Sequence, residues 1–194
     1  MLKEKLSDFI KKQNEENGAV ALFNIEEGYA SAHGILEGEV LSEDTRSRFQ
    51  ELIIERCNKE SEETVKKESA SFLDSPLSLL KSHKDEFLFL NAEWFEIIRI
   101  DGISIEIDDV FGHYAAMFGL KLQKKFRDEM EEYLDVTLQD EQGYNLLFNG
   151  EDGLWDVNIA INNLPSFSED LTLKDVIEII YVYLFEMIEK VTEK

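Results

Sequence analysis

The chain has 194 residues, 43% of them hydrophobic, and carries 42 acidic against 20 basic side chains for a formal net charge of −22. That length and apolar content support one substantial domain or two small ones and exclude disorder as the default. The charge repels phosphate backbones and anionic lipid surfaces, so neither a nucleic-acid nor a membrane partner is expected.

The first eight residues lack the apolar core of a secretory signal, and no run approaches the roughly 18 apolar residues of a membrane span, so a cytoplasmic location is expected. Cys57 is the only cysteine. It cannot bridge within the chain or build a Cys-based zinc cluster, consistent with a reducing compartment. Its expected role is a small apolar side chain on a helix.

In chain order, Leu2, Leu6, Phe9 and Ile10 recur at helical spacing and predict an amphipathic helix that ends near Asn17-Gly18. Residues 19–26 and 29–36 read as two short strands joined around Asn24-Ile25-Glu26-Glu27-Gly28, where Asn and Gly favour a tight turn. Ser42 is placed to cap a following helix with Glu43 and Asp44 in its first turn and Phe49, Leu52, Ile53 and Cys57 on its apolar face. Residues 61–73 read as a polar helix halted at Pro76. Strands are predicted over 87–90, 94–100 and 103–107, the last two joined by an Asp101-Gly102 hairpin turn with Ile100 facing Ile103. Asp109 then caps a long helix through Phe111, Tyr114, Phe118, Leu122, Phe126, Met130 and Tyr133. The last helix opens with a capping-box pattern, Thr172 to Asp175, and is apolar almost all round over 176–188, which calls for a central place in the core or in a subunit interface.

One internal similarity organises these elements. Residues 17–28 align without gaps on 142–153 with six identities in twelve: Gly18/Gly143, Leu22/Leu147, Phe23/Phe148, Asn24/Asn149, Glu26/Glu151 and Gly28/Gly153. The fold class that follows is α+β, antiparallel β-hairpins with packed helices, built by duplication of a helix-strand-strand-helix unit. Its expected divisions are a first unit over 1–57, a helical linker over 58–84, and a β-meander with the second unit over 85–194.

Chemistry-bearing patterns are sparse. Glu106, Asp108 and Asp109 lie close in sequence to His113, a set able to hold a divalent cation or exchange a proton; capping is the competing use of an Asp and a His at a helix start. No cofactor is predicted otherwise. Trp94 and Trp155 are candidates to floor a ligand groove, against the commoner use of tryptophan in cores. Lys121, Lys124, Lys125 and Arg127 form the one dense basic group, followed four residues on by Asp128, Glu129 and Glu131, so internal ion pairs are expected. Residues 128–193 hold seventeen Asp and Glu against Lys174 and Lys190.

The expected function is a noncatalytic protein-interaction, regulatory or chaperone-like module. It presents an acidic face to another protein, a basic one in particular, and forms a homodimer through Ile177, Ile180, Tyr181, Leu184, Phe185 and Ile188. The alternative is a metal-assisted hydrolase working through Asp109 and His113.

Overall fold

The structure, a computed structural model, describes residues 1–41, 46–138 and 143–193. Ser42, Glu43 and Asp44, the expected helix start, and Gln142 of the internal repeat lie outside the described residues. Helix α1 (Leu2–Asn17) buries Leu2, Leu6, Phe9 and Ile10, and ends at Gly18, whose φ of 75° is a left-handed cap that a Cβ would strain. Two short parallel strands, β1 (Ala19–Val20) and β2 (Glu39–Val40), flank helix α2 (Asn24–Ala32). Helix α3 (Arg46–Gln50) leads into β3 (Ile53–Asn58), β4 (Thr64–Glu68), β5 (Glu86–Asn91), β6 (Ile103–Ile107) and β7 (Tyr114–Leu120). Helix α4 (Arg127–Thr137), strands β8 (Tyr144–Asn149) and β9 (Leu154–Ala160), and helix α5 (Leu173–Thr192) complete the chain.

The sheet runs β4-β3-β5-β6-β7-β9-β8 with every neighbour antiparallel. Its registers place Ile54, Leu90 and Ile103 in one row and Leu88, Ile105, Ala116 and Ile159 in another. All of these are buried. Successive strand residues point to opposite faces, so these rows form one apolar face, and the helices pack against it in a single core. The mixed helix and antiparallel sheet is the α+β class. Helix α5 lies where its composition demands, with eleven residues buried and a capping box in which the Asp175 N–H donates to Thr172 Oγ1 at 3.2 Å and the Thr172 N–H donates back to the Asp175 carboxylate at 2.9 Å.

Several expectations need correction. The chain does not make a hairpin at Asn24: residues 24–32 are helix α2, because the Glu26 carboxylate accepts the Phe23 N–H at 2.9 Å and closes the first helical turn. The matching stretch does reverse the chain between β8 and β9, where Gly150 stands in place of Ile25 and Gly153 has a φ of 69°. Phe23 is buried among Phe49, Trp94 and Tyr181, while Phe148 lies on the edge strand against Trp155. Six identities therefore sit on two different folds, and duplication of the unit is not shown.

The helix expected to run to Cys57 stops at Gln50, and Cys57 is buried in β3. Within 58–84, β4 and two 3-10 turns replace the predicted helix. Residues 93–96 form a 3-10 turn rather than a strand, so Asp101-Gly102 joins no hairpin; Ile100 bridges to Leu120 instead. The long helix from Asp109 is absent: Tyr114, Phe118 and Leu122 also sit at even spacing with Ala116 and Leu120, and the period-two pattern of β7 prevails because Ile105, Ile107, Val157 and Ile159 are there to pair with it.

Candidate functional site

The outward stripe of α5 carries Asp175, Glu178, Ile179, Val182, Glu186 and Glu189, continued by Glu193 at its C-terminal cap, at the spacing that keeps one helical face together. Three adjoining depressions run along it. The first, of about 470 Å³, is lined by Pro165, Leu171, Glu178, Ile179, Val182 and Tyr183 among others. The second brings in His33, Tyr133 and Glu189, and the third adds Glu129, Glu132 and Val136 from α4. Glu186 is common to the first two, Tyr133 and Lys190 to the last two. Together they form a groove with an aliphatic and tyrosine floor.

Packing fixes that floor. The Tyr133 and Tyr183 rings lie 5.5 Å apart, and the Tyr183 hydroxyl is hydrogen-bonded to Thr137 Oγ1 at 2.7 Å. Seven carboxylates line the three depressions, against one lysine, Lys190. Burial, reinforced by Glu186, pushes the Tyr183 phenol up to about 12; burial, then Glu186 and Tyr183, raises Tyr133 further. Burial also raises Glu178, and the neighbouring Asp175 adds to the shift against the opposing pull of Lys174. Such a surface favours a cation, and its apolar floor favours one borne on a hydrocarbon stem.

Comparison with protein-family models, curated proteins and solved structures returns no significant match.

Glu106, Asp108, Asp109 and His113 fall on the end of β6 and the loop to β7 rather than on a helix. Lys59 reaches into this group, 3.5 Å from Glu106 and 3.4 Å from Asp109, and donates to the Ile107 carbonyl at 2.6 Å. A side-chain ammonium thus stands where a metal would be wanted. Asp108 shapes the loop, accepting the Phe111 N–H at 2.6 Å and the Val110 N–H at 2.8 Å, bonds that hold its carboxyl below the usual range. The His113 ring stacks on Phe111 at 5.8 Å. Among the described residues no three His, Cys, Asp or Glu side chains form a group able to hold a metal ion.

Trp94 and Trp155 are buried, and their ring N–H groups donate to the carbonyls of Arg48 at 3.3 Å and Leu122 at 3.1 Å. They serve the core, and neither lines the depressions along α5. Ile177, Ile180, Tyr181, Leu184, Phe185 and Ile188 are likewise buried within their own chain, so the fold itself covers the face proposed for pairing. Of the basic group, Arg127 meets Glu131 at 2.9 Å as expected, whereas Lys121 pairs with Glu96 at 2.9 Å and with Asp101.

Sequence reasoning missed one buried polar cluster. Glu26 is fully buried and is held by Arg48 and by the Tyr181 hydroxyl. The Arg48 guanidinium lies 4.4 Å from the Phe23 ring centre, 4.6 Å from Trp94, 5.0 Å from Phe9 and 5.5 Å from Tyr181. Among the described residues its Nε and Nη2 find no hydrogen-bond partner, and the four ring faces supply the compensating attraction. Burial, with Glu26 next, holds the Tyr181 phenol well above its ordinary value. No short-range motif announces this cluster, because its members are separated by more than 20 residues and meet only in the folded core.

Proposed function

We propose that this chain is a noncatalytic protein-binding module whose working surface is the acidic groove along α5, and that its partner offers a segment rich in lysine or arginine with apolar residues between them. The observation that carries the reading is the groove itself: a floor of Ile179, Val182, Tyr133 and Val136 framed by seven carboxylates and one lysine. An isolated acidic face is ordinarily a solvated one. Here the carboxylates surround apolar side chains that water solvates poorly, and a partner covering both would gain apolar burial and charge complementarity together.

The test is the binding of a labelled peptide of alternating lysine and leucine, followed by fluorescence anisotropy. Affinity should fall ~10-fold or more as salt rises from about 0.05 to about 0.5 M, since added salt shortens the Debye length and screens the carboxylates from the peptide's lysines. Glu186→Lys should weaken it by a similar factor, about 1.4 kcal/mol. Binding that ignores both salt and the reversed charge would refute the proposal.

A further inference from the structure

The two edges of the seven-stranded sheet differ. Strand β4, Thr64-Val65-Lys66-Lys67-Glu68, carries the charges with which edge strands commonly discourage pairing. Strand β8, Tyr144-Asn145-Leu146-Leu147-Phe148-Asn149, has no charge, proline or glycine. Its hydrogen-bonding phase is fixed by the Ala160 N–H donating to the Gly143 carbonyl at 2.7 Å, which makes Tyr144 and Ile159 a non-hydrogen-bonded pair. By alternation, the N–H and C=O groups of Tyr144, Leu146 and Phe148 point away from β9, out of the sheet. No described residue bonds to them.

We propose that β8 is a self-pairing edge, through which a second copy of this chain joins antiparallel to form one continuous fourteen-stranded sheet, twice the seven strands of one copy. A two-fold axis at Leu146 sets each outward N–H against a C=O: Leu146 faces Leu146 of the partner strand, and Tyr144 faces Phe148. Both cross-strand aromatic pairs then fall on the core side, where these residues are only partly buried in one copy.

Local charge favours the same pairing. Beside Tyr144 stand Asp135, which accepts its hydroxyl proton at 2.7 Å, and Glu131, whose charge adds to the upward shift of that phenol after burial and the Asp135 bond. Beside Phe148 stands Lys124, 5.6 Å from the ring centre and with no carboxylate partner among the described residues. Antiparallel pairing brings the Lys124 end of one copy to the Asp135 end of the other, twice. The net charge of −22 on each copy opposes association, but at about 0.15 M salt a Debye length of ~8 Å screens it and leaves these short contacts.

The test is sedimentation velocity on the full chain over a wide concentration range at about 0.15 M salt, with circular dichroism as the check on folding. Leu146→Pro removes an N–H that β9 does not use, a change that edge strands tolerate. The wild-type chain should dimerise, and Leu146→Pro should weaken association ~10-fold or more without loss of secondary structure. Lys124→Glu should also weaken it, and adding Asp135→Lys should restore it. This charge exchange, together with Leu147→Lys at an exposed edge position, keeps the test decisive if the proline variant fails to fold. A wild-type chain that stays monomeric throughout, or a dimer that survives Leu146→Pro and ignores the charge exchange, overturns the proposal. In the second case another surface joins the copies.

Discussion

Replacing Glu26 by Gln tests the buried polar cluster with almost no change in shape. With its oxygen in the place of Oε2 the amide still accepts from the Phe23 N–H and from Arg48, and its NH2 in the place of Oε1 donates to the Tyr181 hydroxyl, which turns to accept, so the helix start and the packing are kept. What is lost is the counter-charge to Arg48, a side chain 4% exposed with two donors that find no partner among the described residues. Removing one member of a buried ion pair commonly costs ~3–5 kcal/mol. The four aromatic faces around the guanidinium retain part of its stabilisation, which argues for the lower end, about 3 kcal/mol. For a chain of this size that corresponds to a fall in Tm of roughly 6–12 °C. Urea unfolding and calorimetry read both quantities. Arg48→Met added to Glu26→Gln should recover most of the loss, because no unpaired charge then remains in the core. A single Glu26→Gln variant within ~0.5 kcal/mol of wild type would refute the reasoning.

Other expectations follow from local chemistry. Tyr181→Phe removes a hydroxyl donated to a buried carboxylate and should cost ~1.5–3 kcal/mol by urea unfolding. Thr172→Ala removes the side-chain cap of α5 and should cost about 1 kcal/mol in the same assay. Burial raises the folded-state pKa of Glu178, so its ionisation opposes folding; this penalty is absent below the unfolded value, grows as pH rises from there to the folded value, and is full above it. Glu178→Gln should therefore raise Tm at pH 7 and leave it unchanged near pH 3; equal shifts at both would contradict that origin. Asp108→Ala should destabilise the β6–β7 loop by ~1 kcal/mol at neutral pH, with the difference from wild type shrinking as acid protonates Asp108, because its folded pKa is lowered.

Where one periodicity is long and uncontested, the sequence is transparent. Helix α1 shows its apolar stripe and its Gly18 cap, and α5 shows its capping box and its need for burial on nearly every side. The β8–β9 turn is equally readable, because its requirements are local: the Asn149 side chain accepts the Glu151 N–H at 3.0 Å and Gly153 supplies the left-handed residue at a φ of 69°. Legibility fails where tertiary partners decide. Asn24 to Gly28 shares its Asn, Glu and Gly with that turn, yet Arg48 and Tyr181 capture Glu26 and a helix forms. The 114–122 stretch satisfies helical and strand periods at once, and only the presence of β6 and β9 on either side selects the strand.

The candidate site divides in the same way. The excess of carboxylates toward the C-terminus is plain in composition, as is the apolar character of 176–188. Their separation onto opposite sides of α5, with Tyr181 and Leu184 inward and Val182 and Glu186 outward, depends on which side the sheet occupies. Lys59 lies 47 residues from Glu106 in sequence, so its arrival beside that carboxylate could not be seen from the Asp109 and His113 spacing.

Backbone amide NMR of the full chain, titrated with the lysine-leucine peptide, examines the central claim most directly. Shift changes should concentrate on Glu178, Val182, Glu186 and Glu189 of α5 and on Tyr133 and Val136 of α4, and should fade at high salt. Changes confined to the β6–β7 loop around Asp109 and His113, or spread evenly over the acidic surface, would contradict it.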